Sequence, residues 1–289
     1  MMRKNLGSFS VPEKIYFKKG CLPVALEELK YVYHKQKVLI ITNPELQKQG
    51  KLKPVTDKLN ELGIVYAIHD VHAGMTNAVK IFEPDCLLAF YEFDCHMELA
   101  GEISMAMEKN IYFVAVPCYL GTYSQAQPLD CDTNHNFADM VIIDTDLAPT
   151  SRKIIHLVVY QALCLAVCAC DSDDATDYSD SMAIQAIHLI FEYLPEVLEN
   201  PNHAYALEKL ASAGTMAGIA FFNAHANFEN YDNSAHYAKY FNMDIPFSSS
   251  EESFEQPNNH ARCAELLNMD LEIFTQKLEA IYQLYLKFN

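Results

Sequence analysis

Lys153-Ile-Ile-His-Leu-Val-Val-Tyr-Gln-Ala-Leu-Cys-Leu-Ala-Val-Cys-Ala-Cys170 is the stretch that decides the fold. Its composition favours helix, and from Ile154 to Ala169 it is apolar almost all round. A helix without a polar stripe is a buried one, so this segment is expected at the centre of a helical layer. Upstream, Ala148-Pro-Thr-Ser151 reads as a domain boundary, with Thr150 or Ser151 capping the helix. Downstream, Asp171-Ser-Asp-Asp-Ala-Thr-Asp-Tyr-Ser-Asp180 is an acidic loop whose end caps a second helix over Ser181–Leu194. It lacks the central glycine and terminal glutamate of an EF-hand, so the capping role is preferred to a calcium site. Further helices are expected over Tyr205–Phe222 and Leu271–Phe288.

Toward the N-terminus the pattern changes. Short apolar runs at Val38–Thr42, Ile64–Ile68, Cys86–Phe90, Ile111–Val116 and Met140–Ile143 predict strands. Amphipathic stretches at Leu22–Leu29, Val55–Leu62, Asn77–Phe82 and His96–Lys109 predict helices between them. Strands alternating with helices imply βαβ units and a parallel sheet. The organisation predicted is a Rossmann-like α/β domain over residues 1–149 followed by an all-helical domain over 150–289, with no internal repeat.

Composition narrows the function classes. An apolar share of 51% is ample for a packed core. A net charge of −17 argues against nucleic acid and anionic membranes as partners. No apolar stretch is expected to be long enough to span a bilayer. Met1-Met-Arg-Lys-Asn-Leu-Gly7 has a basic start with no apolar core behind it, so it does not read as a signal peptide. Nine cysteines without a small-scaffold pattern suggest reduced thiols and a cytoplasmic location. Nine glycines among 289 residues is about half the usual share of roughly 7%. Dinucleotide folds use glycine where backbone approaches phosphate, so a phosphate-binding turn is expected to be missing.

Several segments, in order, resemble one family. Pro12-Glu-Lys-Ile-Tyr-Phe-Lys-Lys-Gly20 resembles its opening strand, and Lys37-Val-Leu-Ile-Ile-Thr-Asn43 its first nucleotide-binding strand. Val116-Pro-Cys-Tyr-Leu-Gly-Thr-Tyr-Ser124 is similar to a cofactor-facing proline-and-GTGS loop. Ala138-Asp-Met-Val-Ile-Ile-Asp-Thr-Asp-Leu147 resembles the linker strand before the helical half. Ala183–Asn200, with Phe191-Glu-Tyr-Leu-Pro195, and Ala217-Gly-Ile-Ala-Phe221 are similar to helices that follow. The family is that of the iron-containing alcohol dehydrogenases, in the glycerol dehydrogenase and dehydroquinate synthase-like superfamily. The resemblance implies a dehydroquinate synthase-like fold with its site between the domains. It also implies hydride transfer between an alcohol or aldehyde and NAD(P), assisted by iron or zinc. This chain is short for the family, so one wall of that cleft is expected to be absent.

The resemblance also says which residues should carry the chemistry, and there the sequence departs from it. Two ligand positions, an Asp and a His in the family, fall at Gln161 and Leu165. Positions i and i+4 present two ligands side by side, but an amide and an aliphatic chain hold a divalent cation poorly. The other two ligand positions fall at Asp232 and Phe247, with His236 on a non-ligand histidine position. One carboxylate is not a catalytic metal site, which needs at least three protein ligands. The three turn glycines fall at Tyr91, Glu92 and Phe93, and the serine, Asp and Lys beyond them at Asp94, Met97 and Ala100. Side chains at 91 and 93 would obstruct a pyrophosphate, and the charges at 92 and 94 would repel it. Asp94 also reads as an N-cap. Asn43, Gly121, Thr122 and Ser124 fall on cofactor-contacting positions, vestigial ones, although Asn before Pro44 and Gly-Thr after Leu120 are equally ordinary turn residues.

Could thiolates have replaced the lost ligands? Cys164 and Cys168 are also i,i+4, with His225 and His236 as further donors, but thiols in a core helix are usually inert. Cys118 and Cys170 have no visible base partner. The residues therefore predict no catalytic residue, no metal ligand and no expected cofactor: a degenerate member acting as a binding or partner subunit. Its partner would be a second copy or an intact relative, engaged along the strand edge at Lys14–Phe17. In the other reading of that edge, Lys14, Lys18 and Lys19 protect it from pairing. One alternative is an NAD(P)-dependent alcohol or aldehyde oxidoreductase with a reworked site and bound iron or zinc. Another is a metal-free protein that binds a ligand in the old cleft.

Overall fold

Four strands carry apolar residues on both faces, as a parallel sheet covered by helices on each side requires. In the computed structural model, which describes residues 8–73, 75–91, 111–118, 138–148, 151–226 and 260–288, they form the middle of a six-stranded sheet. The strands are β1 (Lys14–Phe17), β2 (Lys37–Thr42), β3 (Val65–Asp70), β4 (Cys86–Tyr91), β5 (Tyr112–Pro117) and β6 (Met140–Ile143). Their order is β1-β6-β5-β4-β2-β3, and every pairing is parallel.

The two-residue period of a strand sorts the core into two layers. Val38, Ile40, Leu88, Phe90, Val114, Val116 and Ile142 face α1 (Leu22–Tyr31), α2 (Pro44–Lys48) and α3 (Lys53–Glu61), sharing one apolar cluster with Leu26, Leu46 and Leu59. Leu39, Ile41, Leu87, Ala89, Tyr91, Val141 and Ile143 belong to the opposite cluster. That cluster takes in Val79 of α4 (Met75–Phe82) and the helices after residue 150, so one core runs from the sheet into the helical half.

Among the described residues, the helical half contains α5 (Arg152–Asp171), α6 (Asp177–Glu199), α7 (Ala204–Asn223), α8 (His260–Leu266) and α9 (Leu271–Phe288). Helices α5, α6 and α7 pack mutually, and α8 and α9 lie against α5. Small residues on α7, among them Ala206, Ala213, Gly214, Ala217 and Ala220, are buried and allow close approach. The stretch Ile154–Asp171 does have the length and hydropathy to cross a membrane, contrary to expectation, but 88% of it is buried inside the protein. It is a core helix whose neighbours take the place of lipid.

Other boundaries differ from the sequence reading for local reasons. Helix α6 starts at Asp177, not Ser181, because Thr176 closes a capping box with Ser179: each side chain bonds the other's backbone N–H. It then continues through Pro195 to Glu199, carried by the buried Leu194 and Val197. Ser151 stands at the N-cap of α5 but makes no capping bond. Helix α2 was not expected; at five residues it is too short to show a period. Helix α8 was not expected either.

Candidate functional site at the sheet switch point and the central helix

In an open parallel sheet, ligands bind beyond the carboxyl ends of the strands where the order reverses. Here the chain leaves β2 through α2 and α3 on one face to reach β3, then crosses the other face through α4 to reach β4. The reversal therefore lies between β2 and β4. Thr42 pairs in register with Phe90, which brings Asn43 beside Tyr91 at the carboxyl edge.

Neither residue is idle. The Asn43 side-chain oxygen accepts the Glu45 backbone N–H at 2.8 Å and caps α2, with Pro44 in the first turn. This is the turn role that the Asn-Pro pair suggested. Tyr91 is the last residue of β4; its side chain is 5% exposed within the core, and its carbonyl accepts the Cys118 N–H at 3.0 Å. A bulky side chain thus stands at the first of the three positions where the family resemblance puts a turn glycine. Gly121, Thr122 and Ser124 lie outside the described residues, as do Glu92, Phe93, Asp94, Met97 and Ala100.

Across the core, α5 carries Gln161 and Leu165, where the family resemblance puts the first two metal ligands. Leu165 is completely buried and Gln161 is 2% exposed. Val158, Ala162 and Ala169 are buried around them. The Gln161 Oε1 has no hydrogen-bond partner. A single neutral amide oxygen beside a hydrocarbon does not fit a divalent cation. Among the described residues, no group of three or more His, Cys, Asp or Glu side chains is placed to hold a metal ion. Asp232, His236 and Phe247 lie outside them.

The two α5 thiols considered as substitute ligands, Cys164 and Cys168, are no better suited to a metal. Cys164 donates to the Tyr160 carbonyl at 3.0 Å within its own helix. Burial, with the neighbouring Cys164 second, pushes the Cys168 thiol well above its usual range. His225 stands exposed beyond the end of α7, near Phe222. Two further groups had no sequence signal. His156 is fully buried, stacked parallel to Tyr160, and burial lowers its pKa to about 4, so the ring is neutral. At the other end of α5, burial raises the Asp171 carboxyl to about 7, with Arg262 pulling it back.

Residues 160–229 match the Fe-containing alcohol dehydrogenase family, C-terminal. The aldehyde-alcohol dehydrogenase of Clostridium acetobutylicum is 29% identical over 77% of this chain and 31% of its own length, so the chain spans about a third of that relative. A solved 1,3-propanediol oxidoreductase superposes with a TM-score of 0.75 and 21% identity, covering 98% of this chain and 87% of that one. A sulfoacetaldehyde reductase from Bifidobacterium kashiwanohense, solved with NAD+, gives 0.73 and 16%, covering 96% and 85%. The fold is the dehydroquinate synthase-like one, a Rossmann-like sheet layer followed by helices. The chain is similar over most of its length to iron-containing alcohol dehydrogenases and their relatives.

Proposed function

We propose that this chain keeps the family's scaffold without its metal- and NAD(P)-dependent chemistry, and acts as a binding or partner subunit in a homodimer or with an intact relative. One observation carries the reading: Leu165, fully buried, fills the second ligand position with hydrocarbon. Tyr91, filling the first glycine position, supports it. A scaffold without metal or nicotinamide has no evident route to hydride transfer. A second reading, an NAD(P)-dependent alcohol or aldehyde oxidoreductase with a reworked site, draws on the unpartnered Gln161 Oε1, a donor atom at the first ligand position.

Elemental analysis of protein purified without a metal-affinity tag separates the two. The first reading expects no stoichiometric iron or zinc, and calorimetric titration with NAD+ and NADP+ should detect no micromolar binding. Near one metal ion per chain, or a micromolar dissociation constant for either nucleotide, would overturn it in favour of the second.

A further inference from the structure

The chain that leads into β1 is held by a side chain of the helical half. Asn223, the last residue of α7 and 4% exposed, accepts the Ser10 backbone N–H on Oδ1 at 2.7 Å. Its Nδ2 donates to the Ser10 carbonyl at 2.8 Å. One amide thereby reads both polar groups of one residue, as a facing residue does in an antiparallel pair. Nδ2 also donates to the Ile219 carbonyl at 2.9 Å, one turn back in α7, which fixes the orientation of the amide. Next along the chain, the Phe9 ring lies 5.4 Å from that of Tyr178, in the first turn of α6. The two sides of this contact are held unequally. The end of α7 is anchored, since Ser172 Oγ donates to the carbonyl of the completely buried Ala224 at 2.6 Å. On the other side Pro12 is buried, and β1 pairs with β6 from Lys14 to Phe17. Ahead of Pro12, Ser8 and Val11 are exposed while Phe9 and Ser10 are half-buried.

We propose that residues 8–12 are a strap latched by Asn223, which opens about Pro12 while β1 and the helical half stay folded. Closed, the strap fastens the lead-in of the edge strand to the end of α7. Open, it leaves the Asn223 amide to water and frees that end of β1 from the helices. A neutral hydrogen bond adds little net stability, because water replaces it when it breaks. Segments with few buried apolar contacts therefore open far more readily than the core. A separate link, the Lys19 N–H to Glu208 Oε1 at 3.1 Å, holds the far end of β1 to α7 and stays closed when the strap opens. The bonds to Asn223 use main-chain atoms of Ser10, so the latch depends on residue 223 and is indifferent to the side chain at residue 10.

The test is hydrogen exchange of the full chain at neutral pH, read by mass spectrometry with fragmentation that resolves the Ser10 amide. In the wild type that amide should be protected, and it should exchange through an opening that low urea concentrations do not accelerate. Strands β2 and β4 should instead need urea-dependent unfolding. Asn223→Leu should speed exchange at Ser10 about tenfold or more and leave β2 and β4 as in the wild type. Ser10→Ala should match the wild type throughout. An unprotected Ser10 amide in the wild type would overturn the proposal, as would an Asn223→Leu rate equal to it. Acceleration shared with β2 and β4, or a Ser10→Ala rate like that of Asn223→Leu, would do the same. The wild-type urea series needs no variant, so it decides the matter even where Asn223→Leu fails to fold: Ser10 and β2 losing protection together would rule out a strap that opens by itself.

Discussion

Arg262 Nη2 lies 2.6 Å from Asp180 Oδ2 and fastens α8 to the first turn of α6. The carboxylate is mostly covered and the guanidinium less so, with side-chain exposures of 11% and 41%. A hydrogen bond to a charged group of this kind contributes about 1–3 kcal/mol, because losing the cation leaves a covered carboxylate unpaired. Arg262→Met is expected to lower the denaturation free energy by about that amount. Arg262→Lys should recover only part of it, since an ammonium cannot reproduce the planar fork. Urea unfolding of the three proteins checks this, and equal midpoints would mean that solvent already screens the pair.

Asp171 and His156 predict opposite pH slopes. The Asp171 carboxyl rises from 3.8 to about 7 on folding, so the folded state holds a proton that the unfolded state has released. Its effect on stability is therefore most favourable below pH 3.8 and declines as the pH rises toward about 7. His156 falls from 6.5 to about 4, so its contribution grows between those values as the pH rises. The two nearly offset each other across the shared window, and above pH 6.5 only the Asp171 decline remains. Asp171→Asn should remove that decline and be more stable than the wild type at pH 8. Urea titrations from pH 4.5 to 8 measure it; a variant no more stable than wild type at pH 8 would mean that Asp171 is compensated.

Leu165 and Gln161 separate packing from polarity on the buried face of α5. Leu165→Ala removes fully buried hydrocarbon and should cost about 2–5 kcal/mol. Gln161→Met keeps the length and removes an amide oxygen that has no partner, so the midpoint is expected to hold or rise. A clear drop for Gln161→Met would reveal a partner at Oε1, and an unchanged midpoint for Leu165→Ala would reveal an open pocket.

What the sequence disclosed and what it hid follows from how far each feature reaches along the chain. The strand Met140–Ile143 and the helix Leu271–Phe288 were legible to the residue, because period and flanking breakers are local. The burial of Leu165 was legible too, since a helix apolar all round has nowhere else to go. The start of α6 was misread because its capping box uses Ser179 where Glu or Gln is the usual signal. The Arg262–Asp180 pair had no local trace: it depends on where α8 docks, and α8 is seven residues long.

The last prediction concerns association. Among the described residues, strand β1 stands at one end of the sheet and pairs with β6 alone. An exposed edge is a template for another strand, which proteins often block with lysines. Here two of the three candidate guards are engaged: Lys14 pairs with Glu28 of α1, and Lys19 with Asp146 at 3.2 Å. Phe17, at the end of the strand, is 56% exposed, a large apolar side chain left toward solvent. The expected behaviour is a dimer, or a complex with an intact relative, at micromolar concentration by size-exclusion chromatography with light scattering. Phe17→Asp should shift it toward monomer while changing the monomer's own unfolding free energy by no more than about 0.5 kcal/mol, as for an ordinary surface site. A wild-type monomer, alone and with any intact relative, would remove the partner-subunit role and leave the chain as a ligand-binding protein.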